Sequence, residues 1–266
     1  VMAASVELYL GLVSILSSVY TIYQYSTPAH ERGAFSGNAS MNACLIASTM
    51  PFALHYFKNQ WVRCLILLLS TIACLMTKTS NGIGVFLVVC AVLEMRTRGC
   101  GFKYMVIRGM AVGIPLCLAL AYLPIEWLSS SGRMGVWKVL FAWWDINCSP
   151  FFGCGIGTGV SLFPTIQQMT GKTAAGYYLW AHSDYLQILW ESGVVGLVSA
   201  LIALVYLTRK AWPHHYLFAA LAGFAFSGIG NYPLRLPIHM AALTLTVWLI
   251  LKKGDTPNGK IHQETS

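Results

Sequence analysis

The chain has 266 residues, of which 56% are hydrophobic and only 10% are charged, and its formal net charge is +8. Charged residues make up about a quarter of an ordinary soluble domain, so this composition excludes that class. The basic balance could suggest a nucleic-acid partner. However, the Lys and Arg residues fall in short loops between apolar runs, which is a topology signal, and we expect no nucleic-acid partner.

In chain order, the apolar runs predict an all-α, polytopic membrane protein with about eight transmembrane helices. The predicted spans are 4–25, 40–57, 61–77, 82–96, 104–124, 184–207, 214–230 and 236–251. They form a single helical membrane domain, 1–251, followed by a cytoplasmic tail, 252–266, that we expect to be disordered. Because most of the intervening loops are short, neighbouring helices should be antiparallel.

The basic residues predict how these spans are oriented. Alternate loops on one side hold Lys58, Arg63, Arg96, Arg98, Lys103, Arg108, Arg209, Lys210, Lys252 and Lys253. The short loops on the other side hold Arg32, Lys78 and Arg235. Since cytoplasmic loops carry the excess of basic residues, the first side is predicted to be cytoplasmic and the interval 125–183 external.

The external interval contains an apolar run, 136–144, that is too short to span and includes tryptophans. This pattern predicts a short interfacial helix, and a glycine-rich turn region, 150–159, follows it. Cys148 and Cys154 lie in the same interval, and their spacing leaves open whether they form a disulfide in an oxidising compartment.

Three apparent ligand motifs fail on inspection. The alternating glycines between 153 and 159 do not give G-x-G-x-x-G, and Gly171-Lys172-Thr173 lacks the first glycine of a P-loop. His214-His215 has no further ligands nearby in sequence, as a zinc site requires. We therefore expect no cofactor and no metal.

His182 is the first candidate for chemistry, because ionisable groups near membrane depth are costly and usually functional. The alternative is a histidine that simply tolerates the headgroup region. Asp184 is too close in sequence to share a helical face with it but could orient or electrostatically tune a neighbour. Glu191 lies about two and a half turns further on, so we expect it to be structural.

Arginines on the external side carry two interpretations. Arg133, Arg32 and Arg235 could be lipid-phosphate anchors, which is the stronger interpretation for Arg235, or a diphosphate-binding set suited to the guanidinium fork. Such a set could neutralise a pyrophosphate leaving group without metal. Lys78 is a weaker substrate-binding candidate, because a helix-end anchor explains it better.

Four stretches, 32–42, 77–82, 132–157 and 182–196, carry a family resemblance. They contain an Arg…Gly-x-Phe…Asn loop, a Ser-Asn-Gly helix start, a Gly-Arg…Trp…Pro-x-x-Gly-x-Gly region and a His-Ser-x-x-Leu-Gln…Glu-x-Gly-x-x-Gly signature. In this order they resemble the O-antigen ligase and polymerase superfamily of bacterial inner-membrane glycan-transfer proteins. The sequence departs from the family where Ser-Asn-Gly replaces Ser-Arg-Gly and where Ser183 replaces an asparagine.

The resemblance implies metal-independent, inverting glycosyl transfer from an undecaprenyl-diphosphate-linked glycan at the periplasmic face of the inner membrane. His182 would be the general base, and Arg133 and Arg32 would hold the diphosphate. Family members commonly have more than eight spans, so we expect an N-terminally truncated member.

Three functions remain open at this point. A ligase would use lipid A-core or a protein hydroxyl as acceptor, whereas a polymerase would use a second lipid-linked glycan, and the motifs do not separate them. A transporter or flippase would place charges and broken helices at the bilayer midplane. The strong ionisable residues here are instead predicted to lie at one face.

Overall fold

A computed structural model describes residues 2–26, 38–97, 133–169 and 181–254. Within these ranges the chain forms helices and no strand, which confirms the predicted all-α class. The helices are α1 (Met2–Ser26), α2 (Ala39–Tyr56), α3 (Gln60–Met76), α4 (Ser80–Thr97), α5 (Arg133–Asn147), α6 (Thr158–Met169), α7 (Asp184–Ala211), α8 (His215–Gly230) and α9 (Pro237–Gly254), with a 3-10 turn at Pro233–Arg235. The predicted span 104–124 and most of the predicted tail lie outside the described residues.

The other predicted spans coincide with helices to within a few residues, because each apolar run ends at a capping or turn residue. Asn38, for example, caps α2 by accepting hydrogen bonds from the backbone N–H groups of Ser40 and Met41, at 2.9 and 3.2 Å. Of the described helices, α1 and α7 are long and apolar enough to cross a membrane, and Gln60–Met76, Ser80–Met95 and His215–Gly230 are shorter apolar helices. Eight membrane spans remain a prediction.

Helix α2 is the centre of the main bundle. It packs against α1, α3, α4 and α8, and its residues from Met41 to Ala53 are all buried. Small residues allow the close approach: a Cβ placed on Gly11 of α1 would lie 3.0 Å from the Ala53 Cα. Close packing through small residues is typical of helices that associate within a bilayer.

Helix α1 has its polar side chains inside and its large apolar side chains outside. Ser14, Ser17 and Ser18 are fully buried, and the Ser14 hydroxyl donates to the Ile46 carbonyl of α2 at 3.1 Å. The exposed large side chains of α1 include Tyr9, Leu12, Leu16, Val19, Tyr20 and Tyr23. Large contiguous apolar surfaces of this kind mark interaction with a membrane or another protein.

The bundle has two distinct ends. At the first, which we name the His182 end, α2, α4, α7 and α9 begin and α8 ends, and Asn231 donates to the Ser40 hydroxyl at 2.9 Å. At the second, the Glu7 end, Lys253 Nζ lies 2.5 Å from Glu7 Oε1. Helices α1 to α4 therefore alternate in direction, and so do α7 to α9, as the short loops predicted.

A second, smaller core joins α5 and α6 to the first part of α7. It contains the buried side chains of Leu140, Phe163, Ile166, Ala181 and Trp190. The predicted interfacial segment is thus helical over Arg133–Asn147. Its position at a membrane surface remains a prediction.

Candidate functional site at the start of helix α7

His182 lies immediately before α7 in a backbone conformation that few residues other than glycine adopt. Its φ is 54°, in the left-handed region where His is several-fold enriched relative to most side chains. The residues on either side are fixed: the Ala181 N–H donates to Gln187 Oε1 at 2.8 Å, and Ser183 is the N-cap of α7. The imidazole is partly exposed, and its ring centroid lies 4.9 Å from that of Tyr232 in an edge-to-face contact.

Ser183 and Asp184 attach the start of α7 to the end of α8. The Ser183 hydroxyl donates to the Gly228 carbonyl at 3.2 Å, and the Asp184 N–H donates to the Asn231 carbonyl at 3.0 Å. The Asp184 carboxylate accepts from the Leu234 N–H at 3.0 Å. Because Asp184 is only 4% exposed, this bond offsets part of the cost of burying its carboxylate.

A chain of polar contacts runs from the residue before His182 to Arg235. Gln187 Nε2 donates to Glu191 Oε1 at 2.5 Å, and Arg235 Nη2 donates to Glu191 Oε2 at 2.8 Å. The side chain of Glu191 is 3% exposed and that of Arg235 is 25% exposed. A buried carboxylate needs such a partner, since an unpaired buried charge is strongly destabilising. Arg235 is therefore a structural partner of Glu191 in this arrangement.

Helix α7 is broken at Gly193, where the backbone has φ 62° and ψ −164°. After the break, the N–H groups of Val194 and Val195 donate to the carbonyls of Pro150 and Phe151 at 3.0 and 3.1 Å. These are the first N–H groups of the second half-helix, which have no partner within the helix itself. The span predicted as continuous over 184–207 is thus two half-helices.

The same loop also caps the first half of α7. The N–H groups of Cys154 and Gly155 donate to the carbonyls of Trp190 and Glu191 at 2.9 and 3.0 Å. Carbonyl groups at the end of a helix likewise lack intrahelical partners. One segment, 150–155, therefore satisfies the backbone on both sides of the break, and we call it the double cap.

Glycines allow the double cap to approach α7 this closely. A Cβ on Gly193 would lie 2.3 Å from the carbonyl of Phe151, and a Cβ on Gly153 would lie 2.5 Å from a carbonyl oxygen of α7. A disulfide between Cys148 and Cys154 closes the loop that carries the double cap. This disulfide answers a question that cysteine spacing alone left open.

Aromatic side chains of α5 and α6 pack against the first half of α7 and against the residue before His182. Trp190 is 1% exposed and packs against Trp143 and Phe163, at ring-centroid distances of 5.8 and 4.9 Å. The Trp137 indole N–H donates to the Ala181 carbonyl at 2.5 Å. Both the residue before His182 and the helix after it are therefore anchored to α5.

The structure brings His182, Asp184 and Arg235 together around the start of α7. Lys78 is exposed in the turn between α3 and α4, also at the His182 end, with a φ of 52°. Arg133 begins α5, but its side chain lies outside the described residues, as does Arg32. Sequence reasoning missed the double cap, for which the alternating glycines at 153–159 were the available signal.

The described part of the site combines a partly exposed imidazole with fixed neighbours and a buried ion pair. An imidazole within hydrogen-bond reach of a substrate hydroxyl can accept its proton. The edge-to-face contact with Tyr232 helps to orient the ring. Comparison with models of known protein families gives no match, and comparison with curated proteins gives none.

Proposed function

We propose that this protein transfers a glycan from an undecaprenyl-diphosphate carrier to an acceptor hydroxyl at the His182 end of the bundle, with His182 as the general base. The observation that carries the proposal is the left-handed backbone at His182. It holds a partly exposed imidazole between Ala181, which is bonded to α5, and Ser183, which is bonded to α8. Strained backbone of this kind clusters at functional sites. The four ordered motifs that resemble the O-antigen ligase and polymerase superfamily support the choice of donor.

The reaction needs one proton acceptor and one way to stabilise the leaving group. His182 takes the proton of the acceptor hydroxyl, and the oxygen forms a bond to the anomeric carbon of the glycan. The bond from that carbon to the diphosphate breaks on the opposite face, and its electron pair leaves with the lipid diphosphate, so the anomeric centre is inverted. We assign the leaving group to Arg133 and Arg32, because guanidinium groups can pair with its charge without a metal ion or cofactor.

The cellular setting that we propose is the bacterial inner membrane, with the His182 end on the periplasmic face. The outward apolar surface of α1 supports a lipid environment. The basic residues at the described helix ends support the orientation, since Lys58, Arg63, Arg209, Lys210, Lys252 and Lys253 belong to the Glu7 end. A disulfide at the other end suits an oxidising compartment.

Ligase and polymerase activities differ only in the acceptor. A ligase accepts lipid A-core or a protein hydroxyl, and a polymerase accepts a second lipid-linked glycan. We put the ligase first and keep the polymerase as the alternative. The experiment that separates them is complementation of ligase-null and polymerase-null strains, read as glycan ladders on gels. Restored long-chain ladders in the polymerase-null strain indicate a polymerase, and capped lipid A-core in the ligase-null strain indicates a ligase.

The broken helix α7 is also a feature of transporters, in which half-helix ends contact the transported substrate. Here the backbone groups at the break bond instead to the double cap. Those groups are therefore occupied by protein, and a transport or flippase function is the less favoured alternative. Substrate-dependent glycan transfer by the purified protein in detergent, where no compartments exist, would distinguish transfer from transport.

Replacement of His182 tests the general base. We expect His182→Ala to abolish glycan transfer while membrane insertion is retained, measured by ladder formation and by membrane fractionation. His182→Gly is the matched variant, because glycine adopts a positive φ without strain. It should be at least as stable as His182→Ala and equally inactive. Full transfer by either variant would rule out the general-base role.

Replacement of Arg133 tests the diphosphate assignment. Arg133→Lys keeps the positive charge but removes the planar fork that pairs with two oxygens. We expect transfer to fall although the protein accumulates normally. A variant that transfers glycan at the wild-type rate would favour a lipid anchor at this position.

A further inference from the structure

A cavity of about 410 Å³ lies at the Glu7 end, between α2, α3, α4 and α8. Its volume is within the range of small-molecule sites, and it belongs to no part of the site around His182. Leu67 and Leu93 contribute to its apolar walls. Its polar lining comes from Arg63, Glu94, His55 and His215.

The floor of the cavity is held rigid by a buried polar network. His55 stacks on Tyr216 with ring centroids 3.7 Å apart, and Tyr216 is 3% exposed. The Tyr216 hydroxyl donates to Glu7 Oε1 at 2.6 Å, and Lys253 Nζ donates to the same oxygen at 2.5 Å. The His55–Tyr216 stack joins two walls of the cavity, α2 and α8, and the hydrogen bonds of Tyr216 tie that contact to α1 and α9. Groups that are held in place before a ligand arrives lower the ordering cost of binding.

Side chains near the cavity have the composition that is typical of a membrane–water interface. Trp61, in the first turn of α3 and two residues before Arg63, is 75% exposed. At the same end, Lys252 Nζ lies 4.9 Å from the ring centroid of Trp248. Exposed Trp beside Lys and Arg is typical of the membrane–water interface. A ligand with both a polar head and an apolar tail, such as a membrane lipid, fits a cavity with charged and apolar walls in this setting.

We propose that the cavity binds a phospholipid with a zwitterionic phosphoethanolamine headgroup. Arg63 pairs with the phosphate, for which its planar fork is suited, and the Glu94 carboxylate accepts the ammonium donors. His55 and His215 can donate to the remaining phosphate oxygens, and the apolar walls cover the first part of an acyl chain. Among the described residues that line the cavity, Arg63 and Glu94 supply one cation and one anion, a pair that matches a zwitterion better than a purely anionic lipid.

The test is lipid competition on the purified full chain in detergent. Native mass spectrometry would count retained lipids after addition of equimolar phosphatidylethanolamine and phosphatidylglycerol, and we expect retention of phosphatidylethanolamine. Arg63→Gln should reduce that retention about tenfold, as expected for a lost charge-assisted hydrogen bond. Glu94→Lys should reverse the preference toward phosphatidylglycerol. Arg209→Gln is the control, because Arg209 is an exposed arginine at the same end that does not line the cavity.

The reversal of preference in Glu94→Lys decides the outcome even if a variant is less stable, since selectivity does not depend on the amount of folded protein. Thermal unfolding of each variant gives the folded fraction. Equal retention of the two lipids by the wild-type chain would overturn the proposal. So would an unchanged preference in Glu94→Lys, or a loss in Arg209→Gln as large as that in Arg63→Gln. Displacement of the bound lipid by water-soluble glycerophosphoethanolamine would also overturn the proposal, because it would show that the acyl chain plays no part in binding.

Discussion

The double cap predicts that Gly193→Ala is more damaging than Gly157→Ala, although both glycines have a positive φ. At Gly193 the new side chain meets two penalties. The conformation at φ 62° and ψ −164° is essentially restricted to glycine, at a cost of about 1–3 kcal/mol. The added Cβ would also lie 2.3 Å from the Phe151 carbonyl, and overpacking of this kind costs about 1–3 kcal/mol.

Gly157→Ala is the matched control, because Gly157 has φ 80° but nothing within 4 Å of an added Cβ. It incurs only the left-handed backbone cost, about 1–2 kcal/mol. With a combined cost of about 4 kcal/mol for Gly193→Ala, Tm should fall by roughly 8–16 °C, against roughly 2–8 °C for the control. The assay is thermal unfolding in detergent, followed by glycan transfer. Equal Tm shifts for the two variants would refute the close contact between the double cap and α7.

Two further predictions concern the same region. Arg235→Ala should cost about 3–5 kcal/mol and should destabilise the protein more than Glu191→Ala, because it leaves a carboxylate that is 3% exposed without its charged partner. Denaturant unfolding measures this, and equal losses would contradict it. Replacing Cys148 and Cys154 by serine should cost about 2 kcal/mol, and a reducing agent should lower the Tm of the wild-type chain but not of that variant. If the reducing agent lowered the Tm of both proteins, its effect would not come from the disulfide between Cys148 and Cys154.

The helices of the main bundle could be predicted from the sequence because each one coincides with a long apolar run that has polar residues at its ends. The start of α7 illustrates this: the predicted span began at 184, and the helix begins at Asp184. Alternating basic loops likewise predicted which helix ends share a side. Both signals are local in sequence, so no tertiary information was needed to detect them. Helix α6 was not predicted, because it lies in the polar interval and has no such run.

The break in α7 could not be predicted in the same way. A glycine inside an apolar run costs a helix only about 1 kcal/mol, so Gly193 gives no clear signal of a break. What stabilises the break is the double cap, and its partners lie far away in sequence. The pairing of Glu191 with Arg235, 44 residues apart, was hidden for the same reason. The buried carboxylate of Asp184 accepts a hydrogen bond from Leu234 in the 3-10 turn. The hydrophobic pattern of α7 alone does not predict this contact.

The double cap also restricts how the chain can vary. Its carbonyls at Pro150 and Phe151 serve one half of α7, and its N–H groups at Cys154 and Gly155 serve the other. The number of residues between these two pairs is therefore matched to the width of the gap at Gly193. Inserting or deleting one residue there would move a pair out of register, whereas exposed turns away from such bonds tolerate length changes. Related chains should accordingly vary freely in the length of other loops while the spacing from 150 to 155 stays constant.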